Sequence, residues 1–205
     1  MRNGLILSLF ATAAWAEPVT VAALGDSLTA GYGLAQDEGF VPQMQAWLDD
    51  QGAEVTLLNA GVSGDTTAGG LSRVDWTLTP DVDGVIVALG GNDYLRGLDP
   101  QVSRDNLNQI LAKTQAADVP AMLIGLQAGT NYGADYAEAF NGMYPALADT
   151  YGVPLAADWF SALRDADRAK YLQADGIHPN ADGVKLIVAA LGPAVLDFVE
   201  SLSGD

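Results

Sequence analysis

Short apolar, β-branched runs alternate with amphipathic stretches along most of this chain. Residues 19–24, 55–58, 85–89, 121–126 and 153–156 are runs of strand length. Residues 40–50 carry Val41, Met44, Trp47 and Leu48 on one helical face, and residues 102–116 carry Leu107, Ile110 and Leu111 at the same spacing. Residues 67–78, 136–151 and 181–202 also read as helices, with a bend expected in the last near Gly192-Pro193. Alternating strands and helices, with strands that are apolar almost throughout, imply an α/β fold with a parallel sheet covered on both faces. The tryptophans Trp47, Trp76 and Trp159 read as core residues.

The start of the chain has a different pattern. Met1-Arg2-Asn3 is a short basic segment, an apolar run comes next, and Ala14-Trp15-Ala16 matches an A-x-A cleavage site. Residues 1–16 therefore read as a secretory signal peptide, whose apolar run is too short to span a bilayer. The expectation is an exported protein, periplasmic or secreted. No linker, repeat or low-complexity tract interrupts residues 17–205, which therefore read as one domain.

Composition narrows the chemistry. The chain has no cysteine, which removes disulfides, a cysteine nucleophile and thiolate metal sites. It has one histidine, His178, which excludes a multi-histidine metal centre, so no metal is expected. Nine basic residues face 26 acidic ones, for a formal net charge of −17. Phosphate backbones and anionic lipid would repel such a chain, so neither nucleic-acid binding nor stable membrane insertion is expected. A monomer acting on a small substrate is the expected form.

The notable polar residues fall in four loops, three of them directly after expected strands. These are Gly25-Asp26-Ser27-Leu28, Asn59 to Asp65, Gly90-Gly91-Asn92-Asp93 and Asp175 to Asn180. Open parallel sheets place their sites beyond the carboxyl ends of the strands. Taken alone, Ser27 also reads as a helix N-cap. Gly25 before it is small enough to let a substrate approach closely. A serine hydroxyl needs a base to become a good nucleophile, and His178 is the one candidate. Asp175 lies three residues before it, within reach of the imidazole, where it can fix the tautomer and stabilise the imidazolium. Pro179 biases His178 away from helical angles, and Asn180 can cap the following helix.

Acyl transfer also needs donors for an oxyanion. The Ser27 backbone N–H, the Gly64 N–H and the Asn92 amide are candidates, although each glycine also reads as a turn residue and Asn92 can serve nearby backbone. Asp26 can brace the serine turn. Asp65 and Asp93 read as turn or capping residues. A paired-carboxylate glycosidase is the rival use of so many acids, but no pair stands out by spacing.

These four blocks, in this order, resemble those of the SGNH, or GDSL, hydrolases, over essentially all of residues 19–202. Gly90-Gly91-Asn92-Asp93, Asn131-Tyr132-Gly133 and Asp175-Gly176-Ile177-His178-Pro179-Asn180 are similar to the multifunctional thioesterase, lysophospholipase and arylesterase group. The resemblance implies a three-layer α/β/α, flavodoxin-like fold on a five-stranded parallel sheet, no cofactor and an acyl-enzyme mechanism. It implies a catalytic triad of Ser27, Asp175 and His178 and an oxyanion hole of Ser27, Gly64 and Asn92. It also implies substrate contacts from Asp93, Tyr94 and Leu95 in a flexible loop spanning 93–98, from Gly129 and Tyr132, and from Ile177. The expected reaction is hydrolysis of carboxylic acyl esters and thioesters. The alternative is a polysaccharide acetylesterase of the same fold.

Overall fold

The computed structural model describes residues 18–203, so the expected leader, residues 1–16, lies outside the described residues. Five strands form one parallel sheet: β1 (Val19–Gly25), β2 (Val55–Gly61), β3 (Gly84–Ala88), β4 (Ala121–Ile124) and β5 (Leu155–Ala156). Their order is β2-β1-β3-β4-β5. Every strand run read from the sequence is present. β1 and β2 run further towards the site than their apolar runs, to Gly25 and Gly61, and those two residues sit opposite each other.

The interior strand β3 is buried at all five positions, and β4 at all four. Edge strand β2 alternates instead, with Val55 and Leu57 inward and Thr56 and Leu58 outward. Its open side is bonded by a helix side chain. Gln45, on α2 (Phe40–Asp50), donates to the Val55 carbonyl at 2.9 Å and accepts from Leu57 N–H at 2.8 Å. This occupies backbone groups that an edge strand otherwise leaves unpaired.

The remaining helices are α1 (Ser27–Ala30), α3 (Thr67–Thr77), α4 (Gly91–Leu95), α5 (Pro100–Ala116), α6 (Ala134–Tyr151), α7 (Arg168–Tyr171) and α8 (Ala181–Leu202). α2 packs against α8, while α3 packs against α5 and α5 against α6. Right-handed crossovers put these two groups on opposite faces of the sheet, giving three layers. Local chemistry sets the helix ends. Asp99 caps α5, accepting from Gln101 N–H, and Pro100 takes the first helical position, where its missing N–H costs nothing. Thr66 caps α3 and Asn180 caps α8, each accepting from a backbone N–H three residues on.

Residues 181–202 form one helix, as read from the sequence, that runs through Pro193 with Gly192 packed against the Trp47 ring. Two expectations need correction. Trp159 is buried, but Trp76 projects from α3 with 85 % of its surface exposed, because its position faces solvent rather than α5 or the sheet. Residues 91–95, read as part of a loop, form the short helix α4.

Candidate active site

Strands β1 and β3 lie side by side in the sheet, and the chain leaves in opposite directions from them. In this strand order a crevice opens at their carboxyl ends. Ser27 comes directly after β1 and opens α1. Asp26 precedes it as N-cap and accepts from Leu28 N–H at 3.0 Å, which holds the turn as the sequence suggested. Asp26 is almost fully buried, and loss of hydration raises its pKa to about 6 although Leu28 and Asn92 donate to it. The small size of Gly25 has a different cause from the one expected. A Cβ there would overlap Thr29 Oγ1 and lie 3.1 Å from the Ala88 carbonyl, so the glycine makes room for the fold and not for a substrate.

His178 arrives from the other end of the chain on a tight hairpin-like loop. Leu172 and Pro179 form an antiparallel bridge, Gln173 N–H donates to the His178 carbonyl at 2.8 Å, and Asn180 N–H donates to the Tyr171 carbonyl at 2.9 Å. Within that loop Asp175 Oδ1 accepts from the Ile177 and His178 N–H groups at 2.9 and 3.0 Å, and Oδ2 lies 2.6 Å from His178 Nδ1. The imidazole bond and the two backbone bonds hold the Asp175 pKa down at about 2. An ionised carboxylate at Nδ1 puts the imidazole proton there and leaves Nε2 as an acceptor. Nε2 stands 2.8 Å from Ser27 Oγ. The Tyr32 ring packs against the imidazole with centroids 4.7 Å apart, and Gln173 Nε2 ties the Tyr32 and Pro179 carbonyls together at 2.8 and 2.9 Å. Sequence reasoning found neither Tyr32 nor Gln173. Neither carries a motif, and both act through contacts distant in the chain.

The expected oxyanion donors converge on the same place. Ser27, Gly64, Asn92 and His178 all line one cavity of about 830 Å³. Gly64 has φ +86°, a conformation that favours glycine, and the Arg96 guanidinium donates to its carbonyl at 2.8 Å. Asn92 Nδ2 donates to the Asp65 carbonyl at 2.9 Å and to Asp26 Oδ2 at 3.3 Å. Gly90, just before α4, has φ +122°, and a Cβ there would overlap the Tyr144 hydroxyl. Arg96, bonded to Gly64, was not singled out by the sequence.

Of the expected substrate contacts, Tyr94, Leu95, Gly129 and Ile177 line the cavity. Asp93 does not. It is fully buried, and its carboxylate accepts from Thr67 N–H, Thr67 Oγ1 and Ser103 Oγ at 2.8, 2.6 and 2.9 Å. It anchors α3 and α5, in keeping with the turn or capping role its loop suggested. Tyr132 also stands off the cavity: it donates to the Leu95 carbonyl at 3.3 Å and packs against Gly97 and Tyr94, while its neighbour Asn131 is the lining residue. The apolar part of the wall comes from Leu126, Phe160, Leu163, Leu172 and Ile177. Among the described residues no cluster of three or more acidic or histidine side chains is arranged to hold a metal ion.

A serine hydroxyl, an imidazole and a carboxylate in hydrogen-bonded series, at the carboxyl edge of a 2-1-3-4-5 sheet, are the marks of a serine hydrolase of the SGNH type. The comparisons agree: residues 23–186 match the GDSL-like Lipase/Acylhydrolase family, and the chain belongs to it. It is 37 % identical over 161 residues to esterase TesA of Pseudomonas aeruginosa, covering 78 % of this chain and 79 % of that one. It is 38 % identical over 170 residues to thioesterase 1/protease 1/lysophospholipase L1 of Escherichia coli K12, covering 82 % and 79 %. Among solved structures it is similar to AlinE4, an SGNH-hydrolase family esterase, with 41 % identity, a TM-score of 0.75 and coverage of 90 % and 98 %.

Proposed function

We propose that this protein is a serine hydrolase that cleaves carboxylic acyl esters and thioesters through an acyl-enzyme intermediate. The observation that carries the reading is the continuous chain from Asp175 Oδ2 through His178 to Ser27 Oγ, with contacts of 2.6 and 2.8 Å. In this reading Ser27 Oγ attacks the acyl carbonyl as Nε2 of His178 takes its proton. Asp175 holds the imidazole and stabilises the cation that forms. The Ser27 and Gly64 N–H groups receive the negative oxygen, and the Asn92 amide joins them by exchanging its long 3.3 Å contact with Asp26 for the oxyanion while keeping its bond to the Asp65 carbonyl. His178 then protonates the leaving alcohol or thiol, and next activates the water that releases the acid.

The names of the relatives, an esterase and a thioesterase/lysophospholipase, favour this reading over a polysaccharide acetylesterase. The apolar wall of Leu126, Phe160, Leu163 and Leu172 is suited to an acyl chain, whereas an acetyl group needs little room. The reading also includes export of the chain after cleavage behind Ala16, and a monomeric enzyme. The decisive test is mass spectrometry of the protein treated with an organophosphonate ester. A stoichiometric adduct on Ser27, absent from Ser27→Ala, is expected; absence of any adduct would remove the proposal.

A further inference from the structure

We infer that Arg73 is a positioning residue for the oxyanion cradle, acting through Asp65 on the Asn92 amide. The inference rests on the acyl-transfer reading above. Arg73 lies on α3, away from the cavity wall, with its side chain about four-fifths buried at 21 % exposure. Its planar guanidinium uses three separate nitrogens on three separate segments. Nε donates to Asp65 Oδ2 at 2.6 Å, Nη1 to the Ala60 carbonyl at 2.7 Å and Nη2 to the Gly25 carbonyl at 2.8 Å.

Each of those partners leads to the chemistry. Gly25 is the last residue of β1, two positions before Ser27. Ala60 is on the end of β2, from which the loop bearing Gly64 departs. Asp65 closes that loop, and its own carbonyl is the 2.9 Å acceptor that aims the Asn92 amide. One side chain therefore fastens the strand that delivers Ser27 to the loop that supplies Gly64 and orients Asn92. The fit is close, since a Cβ on Gly69 of α3 would lie 2.6 Å from Asp65 Oδ1. Only arginine offers this fork of fixed donors; a lysine ammonium is one centre on a flexible stem and cannot reach three diverging acceptors at once.

The effect belongs on kcat, because a cradle that is misaimed by a fraction of an ångström still admits substrate but receives the oxyanion poorly. The experiment is a double-mutant cycle of Arg73→Ala and Asn92→Ala, with kcat and KM measured on a nitrophenyl ester and folding followed by circular dichroism. Arg73→Ala is expected to lower kcat about 10- to 100-fold with KM changed by no more than about threefold. The double variant is expected to be slower than Asn92→Ala alone by a factor well below the one Arg73→Ala costs by itself, because the loss that runs through Asp65 is already taken while the bonds to Gly25 and Ala60 are still lost. A brace that only stabilises the fold would give losses that multiply. Multiplying losses, or a kcat for Arg73→Ala within about twofold of the parent, overturn the inference. Should Arg73→Ala not fold, Asp65→Asn removes the ion pair but leaves the Asp65 carbonyl and both strand-end bonds. It then takes the place of Arg73→Ala in the cycle, where non-multiplying losses support the inference and multiplying losses overturn it. A slowed Asn92→Ala beside multiplying losses removes the role of Arg73 alone. An unslowed Asn92→Ala removes the proposed cradle itself, and Arg73 with it.

Discussion

Nε2 of His178 stands 2.8 Å from Oγ of Ser27, although 151 positions separate them in the chain. The hydroxyl comes at the end of β1 and the imidazole just before α8, so only the packed sheet and the 172–179 bridge bring them together. Ser27→Ala and His178→Ala should each lower kcat on nitrophenyl esters by at least about 10³-fold while the circular dichroism spectrum is unchanged. Activity within tenfold of the parent, in protein free of contaminating esterase, would remove either residue from the mechanism.

Asp175 holds the imidazole by a 2.6 Å bond. Asp175→Asn keeps the volume but reverses which ring nitrogen carries the proton, and should cost about 10⁴ in kcat, the order seen for the equivalent change in chymotrypsin-like enzymes. Protonation of the imidazole removes the base, so kcat/KM of the parent should fall on the acid side with a slope of one. A profile flat to the limit of folding would exclude an imidazole base.

The two shifted carboxyls affect stability with opposite sign. Asp175 is held down at about 2, so its folded-state contribution is complete above the ordinary aspartate value of about 3.9 and is lost as pH falls through about 2. Asp26 is raised to about 6, so the fold binds its proton more tightly than the unfolded chain does. Its contribution is complete below about 3.9 and is lost as pH rises through about 6. Between about pH 4 and 6, Asp26 therefore makes stability fall with rising pH. Asp26→Asn should flatten that slope in thermal melts taken across the window; an unchanged slope would place the titration elsewhere.

Gly25→Ala should destabilise the protein, because its Cβ would overlap Thr29 Oγ1 and meet the Ala88 carbonyl at 3.1 Å. Overpacking of this kind costs about 1–3 kcal/mol, readable as a lower denaturation midpoint in urea. A midpoint equal to the parent's would mean that this strand end yields easily.

Leu163 is buried and lines the cavity with Leu126, Phe160 and Leu172. Leu163→Trp should shorten the preferred acyl chain. In a series of nitrophenyl esters, kcat/KM for the longest chains should fall by about tenfold or more, while short chains are spared. A uniform loss across the series would place the acyl group in another part of the cavity.

Much of this architecture was legible before any coordinates. Apolar runs of strand length separated by 3.6-period faces identified the five strands, and the cap residue Asn180 was visible because capping is a local matter of side chain and nearby backbone, although the cap of α1 is Asp26 and not Ser27 as the sequence suggested. Ser27, Asp175, His178, Gly64 and Asn92 were legible by a different route: their residue types are ordinary in turns, but four such blocks in the order of one family, with the one histidine of the chain in the last, are not. Asp93 shows the limit. Beside Asn92 in sequence it looked like part of a substrate loop, but successive positions on the one-turn helix α4 point in different directions, and its carboxylate turns into the interior to meet Thr67 and Ser103. Tyr132 and Trp76 were misplaced for the same reason, since direction and exposure depend on neighbours that arrive from elsewhere.

By itself the sequence determined what local forces determine: which segments become strands and helices, where several helices begin, and which residue types are available for acid–base and nucleophilic chemistry. The tertiary structure decided which of those groups touch. Arg73 on Gly25, Ala60 and Asp65, Tyr32 on His178, and Gln45 on the open edge of β2 are all pairings across separate elements. Contacts of that kind carry no periodic or motif signal, because their geometry exists only once the strands are in register and the helices are packed against them.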